Sequence, residues 1–149
     1  MGLDIKTNAV GGADFKLRFH EDGAFFAQAM PTASGTVYSD VQDLGETLSG
    51  VCIRAYAKDA ITGANASAVA GFALMAGDTK TAAGTDTGAW TTVLSAKATG
   101  TAMYAANAEI LNYIPAPGDA KKYYMASVTV DGTGFGGSVT VYNDLIPGR

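Results

Sequence analysis

The sequence predicts an all-β protein: an antiparallel, jelly-roll-like sandwich of about eight strands with an extended aromatic N-terminal segment. Three observations carry this expectation. Short runs alternate apolar with polar residues, the two-residue period of a half-buried strand. Gly, Pro, Asn and Asp clusters break the chain every 10 to 20 residues. No Ser, Thr or Asp start leads into a sustained stripe of helical period.

Residues 1–35 are the least regular and are read as an N-terminal arm or as added strands; residues 36–149 form the sandwich domain. Within the leader, Phe15-Lys16-Leu17-Arg18-Phe19 alternates strictly, with three apolar side chains on one face and two basic ones on the other. Ala24-Phe25-Phe26-Ala27 follows, so four of the six phenylalanines precede residue 27. Residues 36–39 read as a short strand, 41–46 as a strand end entering a turn, and 51–57 as a strand. Residues 58–65 read as a loop. Residues 69–76 are apolar throughout, and their Gly and Asp flanks favour strand over short helix. A loop over 77–88 and a strand over 90–94 come next. Residues 97–108 lean to loop, and 109–114 form a strand stopped by Pro115-Ala116-Pro117-Gly118.

The strongest pattern lies near the end. Residues 121–130 and 138–143 alternate, are rich in β-branched and aromatic residues, and are joined by a Gly-dense stretch opening with Asp131-Gly132. This predicts a β-hairpin with a long, flexible tip. Ala126, Val128, Val130, Val139 and Val141 are expected to face inward, because a one-residue slip would turn all of them to solvent. Residues 145–149 read as an exposed tail.

Composition narrows the function classes. The 149 residues suit one domain, and charged residues make up 16% against roughly 25% in ordinary soluble domains. A net charge of -4 argues against nucleic-acid binding, which needs clustered basic residues. No stretch reaches the ~20 apolar residues of a membrane span, and the N-terminus lacks the basic-then-apolar pattern of a signal peptide. The single cysteine, Cys52, excludes an intrachain disulfide and reads as a buried small hydrophobe.

No catalytic constellation emerges, and no cofactor or metal is expected. One His (His20) and one Cys cannot supply three or four zinc ligands, and no serine sits in a G-x-S-x-G elbow. The acidic residues are scattered and mostly stand where turns favour Asp. Gly132-Thr133-Gly134-Phe135-Gly136 joins two strands, whereas a phosphate loop must open a helix. Trp90 and Tyr123-Tyr124 could form a sugar-stacking platform; the competing reading is a core Trp with cross-strand aromatic pairs.

The order and spacing of several stretches resemble a known family: Thr36-Val37-Tyr38-Ser39-Asp40-Val41-Gln42-Asp43-Leu44-Gly45, Trp90-Thr91-Thr92-Val93-Leu94, Ile110-Leu111-Asn112-Tyr113-Ile114-Pro115, Lys121-Lys122-Tyr123-Tyr124, and Val128-Thr129-Val130-Asp131-Gly132 with the final hairpin. Over residues 36–143 the chain is similar to the capsid cement (decoration) proteins of tailed bacteriophages, the jelly-roll type. The resemblance implies a structural protein, not an enzyme, made in the host cytoplasm. It implies small homo-oligomers, dimers or trimers, on the outer surface of the virion that bridge neighbouring major capsid proteins. Residues 1–35 are longer and more aromatic than that pattern. Phe15, Phe19, Phe25 and Phe26 are candidate partner contacts, with the protein's own core as the other reading, and Phe135 is the candidate contact at the hairpin tip. The alternative is a glycan- or receptor-binding β-sandwich module of a phage or cell-surface protein, which would expose Trp90 or Tyr123. A small hydrolase would instead gather carboxylates in a pocket.

Overall fold

Alternation decides which side chains turn inward, most cleanly in the strand over residues 69–77. A computed structural model describes residues 25, 27–43, 51–80, 90–116, 118–119 and 121–145. The strands are β1 (Gln28–Ala29), β2 (Gly35–Tyr38), β3 (Gln42–Asp43), β4 (Val51–Thr62), β5 (Val69–Gly77), β6 (Trp90–Thr99), β7 (Ala102–Tyr104), β8 (Glu109–Tyr113), β9 (Tyr123–Asp131) and β10 (Gly136–Leu145). No helix occurs among the described residues. In β5, Ala70, Phe72, Leu74 and Ala76 are buried while Val69, Gly71, Ala73 and Met75 are less so, which settles this apolar run as a strand.

The strands form two antiparallel sheets. One has the order β1-β10-β4-β7, with β8 also pairing β4 further along; the other has the order β2-β9-β5-β6, with β3 also pairing β9. The sheets pack face to face as a sandwich. Inward residues of β4 (Ile53, Ala55, Ala57, Ile61) and β10 (Val139, Val141) meet those of β5 and β9 (Tyr124, Ala126, Val128, Val130), with Leu111 beside them. Phe72 and Tyr104 meet edge to face across this core with ring centres 5.7 Å apart. Phe25, Met30 and Phe135 complete it.

The expected hairpin is not one. β9 pairs β2, β3 and β5, whereas β10 pairs β1 and β4, so the two consecutive strands lie in opposite sheets. The valines face inward as the alternation requires, but they face one another across the core and not side by side. The segment between the strands is an arch. Phe135, 7% exposed, turns down from it and closes the end of the core. Ser34 Oγ accepts the Gly132 N–H at 2.8 Å and ties the arch to the start of β2. Gly137, at φ 98°, lets the backbone pass Ala60, where a Cβ would stand 2.8 Å from the Ala60 carbonyl carbon and the Ile61 Cα. The tip is therefore anchored, and the expectation of a flexible tip is corrected.

Two expected loops are also corrected. β4 runs on to Thr62 through the polar Lys58 and Asp59, because Ile61 still reaches the core and the Asp59 carboxylate accepts a hydrogen bond from Ser138 Oγ at 2.9 Å. Register shifts near Ser138 and at Ile61 absorb the change of phase, as β-bulges do. Within 97–108, β6 continues to Thr99 and β7 pairs the end of β4. The β6 residues that face inward there are small, Ala98 opposite Ala70 and Ala96 opposite Phe72, so low hydropathy hid the strand.

Candidate functional site

Among the described residues, three surfaces could meet a ligand or partner. The first is the outer face of the β1-β10-β4 sheet. Cross-strand register places Tyr142 beside Arg54 and Arg54 beside Asn112, with Thr140, Tyr56 and Glu109 in the next row. Tyr56 and Tyr142 make an edge-to-face pair with centres 5.7 Å apart. Arg54 donates from Nε and Nη2 to Glu109 Oε1 at 3.1 and 2.9 Å, so the charges in these two rows cancel.

The second is a shallow depression of about 350 Å³ on the outer face of the opposite sheet. Gly71, Ala73, Ser95, Lys97, Ser127 and Thr129 border it. Its side chains are small because alternation puts Gly71 and Ala73 outward between the buried Ala70, Phe72 and Leu74. Tyr38, 42% exposed, stands on the same face, and the Thr36 and Thr129 hydroxyls are hydrogen-bonded at 2.9 Å.

The third is a groove of about 440 Å³ where β6, an edge strand among the described residues, approaches the end of β8. Ala76, Val93, Tyr113 and Ile114 give it an apolar lining, and Thr91, Asp119 and Lys121 give it polar edges. A bulge puts Val93 there: Leu74 pairs Leu94 but Met75 pairs Thr92, leaving Val93 as the extra residue. Ile114 is 50% exposed, held out by the strand end before Pro115. Burial chiefly raises the Tyr113 hydroxyl above the usual tyrosine pKa of 10.0, with Tyr124 and the Asp119 charge adding to it. Lys121 Nζ lies 3.3 Å from Asp78, whereas Asp119 has no ion-pair partner among the described residues.

The sequence-predicted residues fall elsewhere. Phe25 (1% exposed) and Phe135 (7%) are buried in the domain's own core. Phe15, Phe19, Phe26 and His20 lie outside the described residues. Tyr123 and Tyr124 point to opposite faces of one strand and form no common platform. Tyr124 is in the core, its hydroxyl accepting the Lys121 N–H at 2.9 Å, and burial raises its pKa against the opposing pull of that bond. Tyr123 is 7% exposed, with the Lys80 and Lys122 ammonium groups 5.9 and 5.4 Å from its ring centre. Trp90 is half-buried opposite Gly77 at the start of β6. Cys52 is buried, as read from its apolar neighbours. Among the described residues no three His, Cys, Asp or Glu side chains gather as a metal site, and no helix is long and apolar enough to cross a membrane.

Sequence reasoning missed the groove. Its one local signal is Ile114-Pro115, an apolar residue placed where a strand must end. No protein-family model matches the sequence, and no curated protein matches it.

Proposed function

We propose that this chain is a structural decoration protein of a tailed-bacteriophage head, binding the outside of the shell and bridging neighbouring major capsid subunits. The observation that carries the reading is the strand order. Counting β2 with β3 and β7 with β8 as interrupted strands gives eight positions, four to a sheet. The chain crosses between sheets from β1 to β2, β3 to β4, β4 to β5, β6 to β7, β8 to β9 and β9 to β10. This order supports the jelly-roll architecture that the sequence resemblance implies.

The surface chemistry supports the same reading. An aromatic and arginine cluster with cancelled charge on one outer face, and a field of small hydroxyl-bearing residues on the other, suit protein contacts made without strong charge selection. Each contact can be weak, because symmetry repeats it over the shell and linked contacts reinforce one another. The glycan-binding alternative loses one of its two candidate residues, since Tyr123 is buried beneath two lysines, and the other, Trp90, is half-buried.

The test mixes purified chain with undecorated heads of the phage whose genome carries it. Co-sedimentation that saturates at a fixed number of copies per head, with heads that survive higher temperature, is the expected result. Absence of co-sedimentation at saturating protein overturns the reading.

A further inference from the structure

We infer that the groove between β6 and β8 receives the Phe15–Phe19 segment of a second copy of this chain. The groove is apolar in its lining, with Ala76, Val93, Tyr113 and Ile114, and it carries one carboxylate, Asp119, that no described cation balances. Its other charged residue, Lys121, is engaged by Asp78. The complementary occupant is an extended segment with apolar side chains on one face and cations on the other. Phe15-Lys16-Leu17-Arg18-Phe19 has that pattern, and it is the only run in the chain that alternates large apolar with basic residues over five positions. Its apolar face fits the lining, and Lys16 or Arg18 reaches Asp119 at the edge. The bulge at Val93 breaks the regular edge of β6, so the contact is one of side chains in a groove and not of a strand added to the sheet.

The placement of the chain favours a neighbour as the donor. Phe25 is fixed at the β10 edge of its sheet, where its carbonyl accepts the Val141 N–H at 2.9 Å. The groove lies past β8, on the opposite side of the same sheet. From the Phe25 position to β8 is about three strand spacings, roughly 14 Å at ~4.8 Å each. The six residues from Phe19 to Phe25 span at most about 20 Å. To fill its own groove the segment would have to run nearly straight across the outer face of the sheet and round its edge. A neighbour placed edge to edge receives it directly. Donor on one side and acceptor on the other make a head-to-tail contact, which closes into a ring when the rotation between copies allows.

The test uses the full chain free in solution, without capsid, so its outcome is separate from that of the head-binding experiment. Cys52→Ala chains carrying either Leu17→Cys or Thr91→Cys, one of them enlarged by a tag, are mixed and mildly oxidised. The expected product is a mixed disulfide dimer, formed about tenfold more than when Thr36→Cys on the opposite edge replaces Thr91→Cys, as a raised effective concentration requires. Asp119→Lys abolishes that preference, and Lys16→Glu with Arg18→Glu on the donor restores it. Asp119 is exposed, so this exchange does not depend on the fold. Equal cross-linking at Thr91 and Thr36 overturns the inference. So does a Leu17→Cys, Thr91→Cys double variant that closes only within single chains.

Discussion

Removing the hydroxyl of Ser39 tests how the sheet containing β9 is completed. β2 pairs residues 127–130 of β9 and β3 pairs residues 123–124, which leaves a gap in the ladder at Ala126. Ser39 fills the gap twice over. Its N–H donates to the Ala126 carbonyl at 2.8 Å, and its Oγ accepts the Ala126 N–H at 2.8 Å. Both residues are buried, at 5% and 2% exposed. Ser39→Ala keeps the first bond and deletes the acceptor of the second, leaving a buried N–H unpaired. That costs about 1–3 kcal/mol. At roughly 2–4 °C per kcal/mol for a domain of this size, the melting temperature falls by about 2–12 °C. Urea unfolding measures the loss, and amide hydrogen exchange locates it: the Ala126 amide exchanges much faster while those of Val128 and Val130 do not. Thr36→Ala, which removes an exposed hydroxyl pair on the same strand pairing, costs less than about 0.5 kcal/mol. A Ser39→Ala loss as small as that of Thr36→Ala, with Ala126 still protected, would refute the reasoning.

Other perturbations have equally definite outcomes. Phe135→Ala empties the end of the core and costs about 3 kcal/mol, the low end for buried Phe→Ala, in the same urea assay. Gly137→Ala combines a positive φ with contacts against Ala60 and Ile61 and costs about 2–5 kcal/mol, read as a lower urea midpoint or loss of folded protein. The Tyr104, Tyr113 and Tyr124 pKa values are raised above 10.0, chiefly by burial, so the folded state holds these protons when the unfolded chain has lost them. Their contribution is complete below pH 10.0 and is lost as pH rises through the raised values. Phenolate absorbance in the folded protein should lag behind that of the urea-unfolded chain, and stability should decline with pH only in this alkaline range.

Residue patterns in the chain reveal faces better than neighbours. The alternation of Val128, Val130, Val139 and Val141 identifies the buried side of both strands, because burial is a property each strand carries alone. It says nothing of which strand lies alongside. Asp131-Gly132 signals a reversal of direction, and an arch between sheets reverses direction as well as a hairpin does. What separates the two is Phe135: a large apolar side chain in a turn is costly in solvent and cheap as a plug. Strand ends were hidden where the inward residues are alanines, as at Ala96 and Ala98, whose hydropathy differs little from that of a loop. The groove was illegible because its lining comes from β5, β6, β8 and the segment after β8, and only the strand order brings Ala76, Val93 and Ile114 together.

The arch carries a consequence for how the protein is made. β9 stands between β2 and β5 in one sheet, and β10 stands between β1 and β4 in the other, so both sheets have strands from the end of the chain near their centres. A chain emerging from the ribosome can form the β5–β6 pair early, but neither β2 nor β1 has its partner until residues 123–145 are free. The fold is thus dominated by pairings between distant parts of the sequence, which close slowly. Until then, the strand edges that β9 and β10 will cover stay open to other chains. Folding is therefore expected to wait on the last strands, and a chain cut before Tyr123 should aggregate instead of yielding a smaller stable domain.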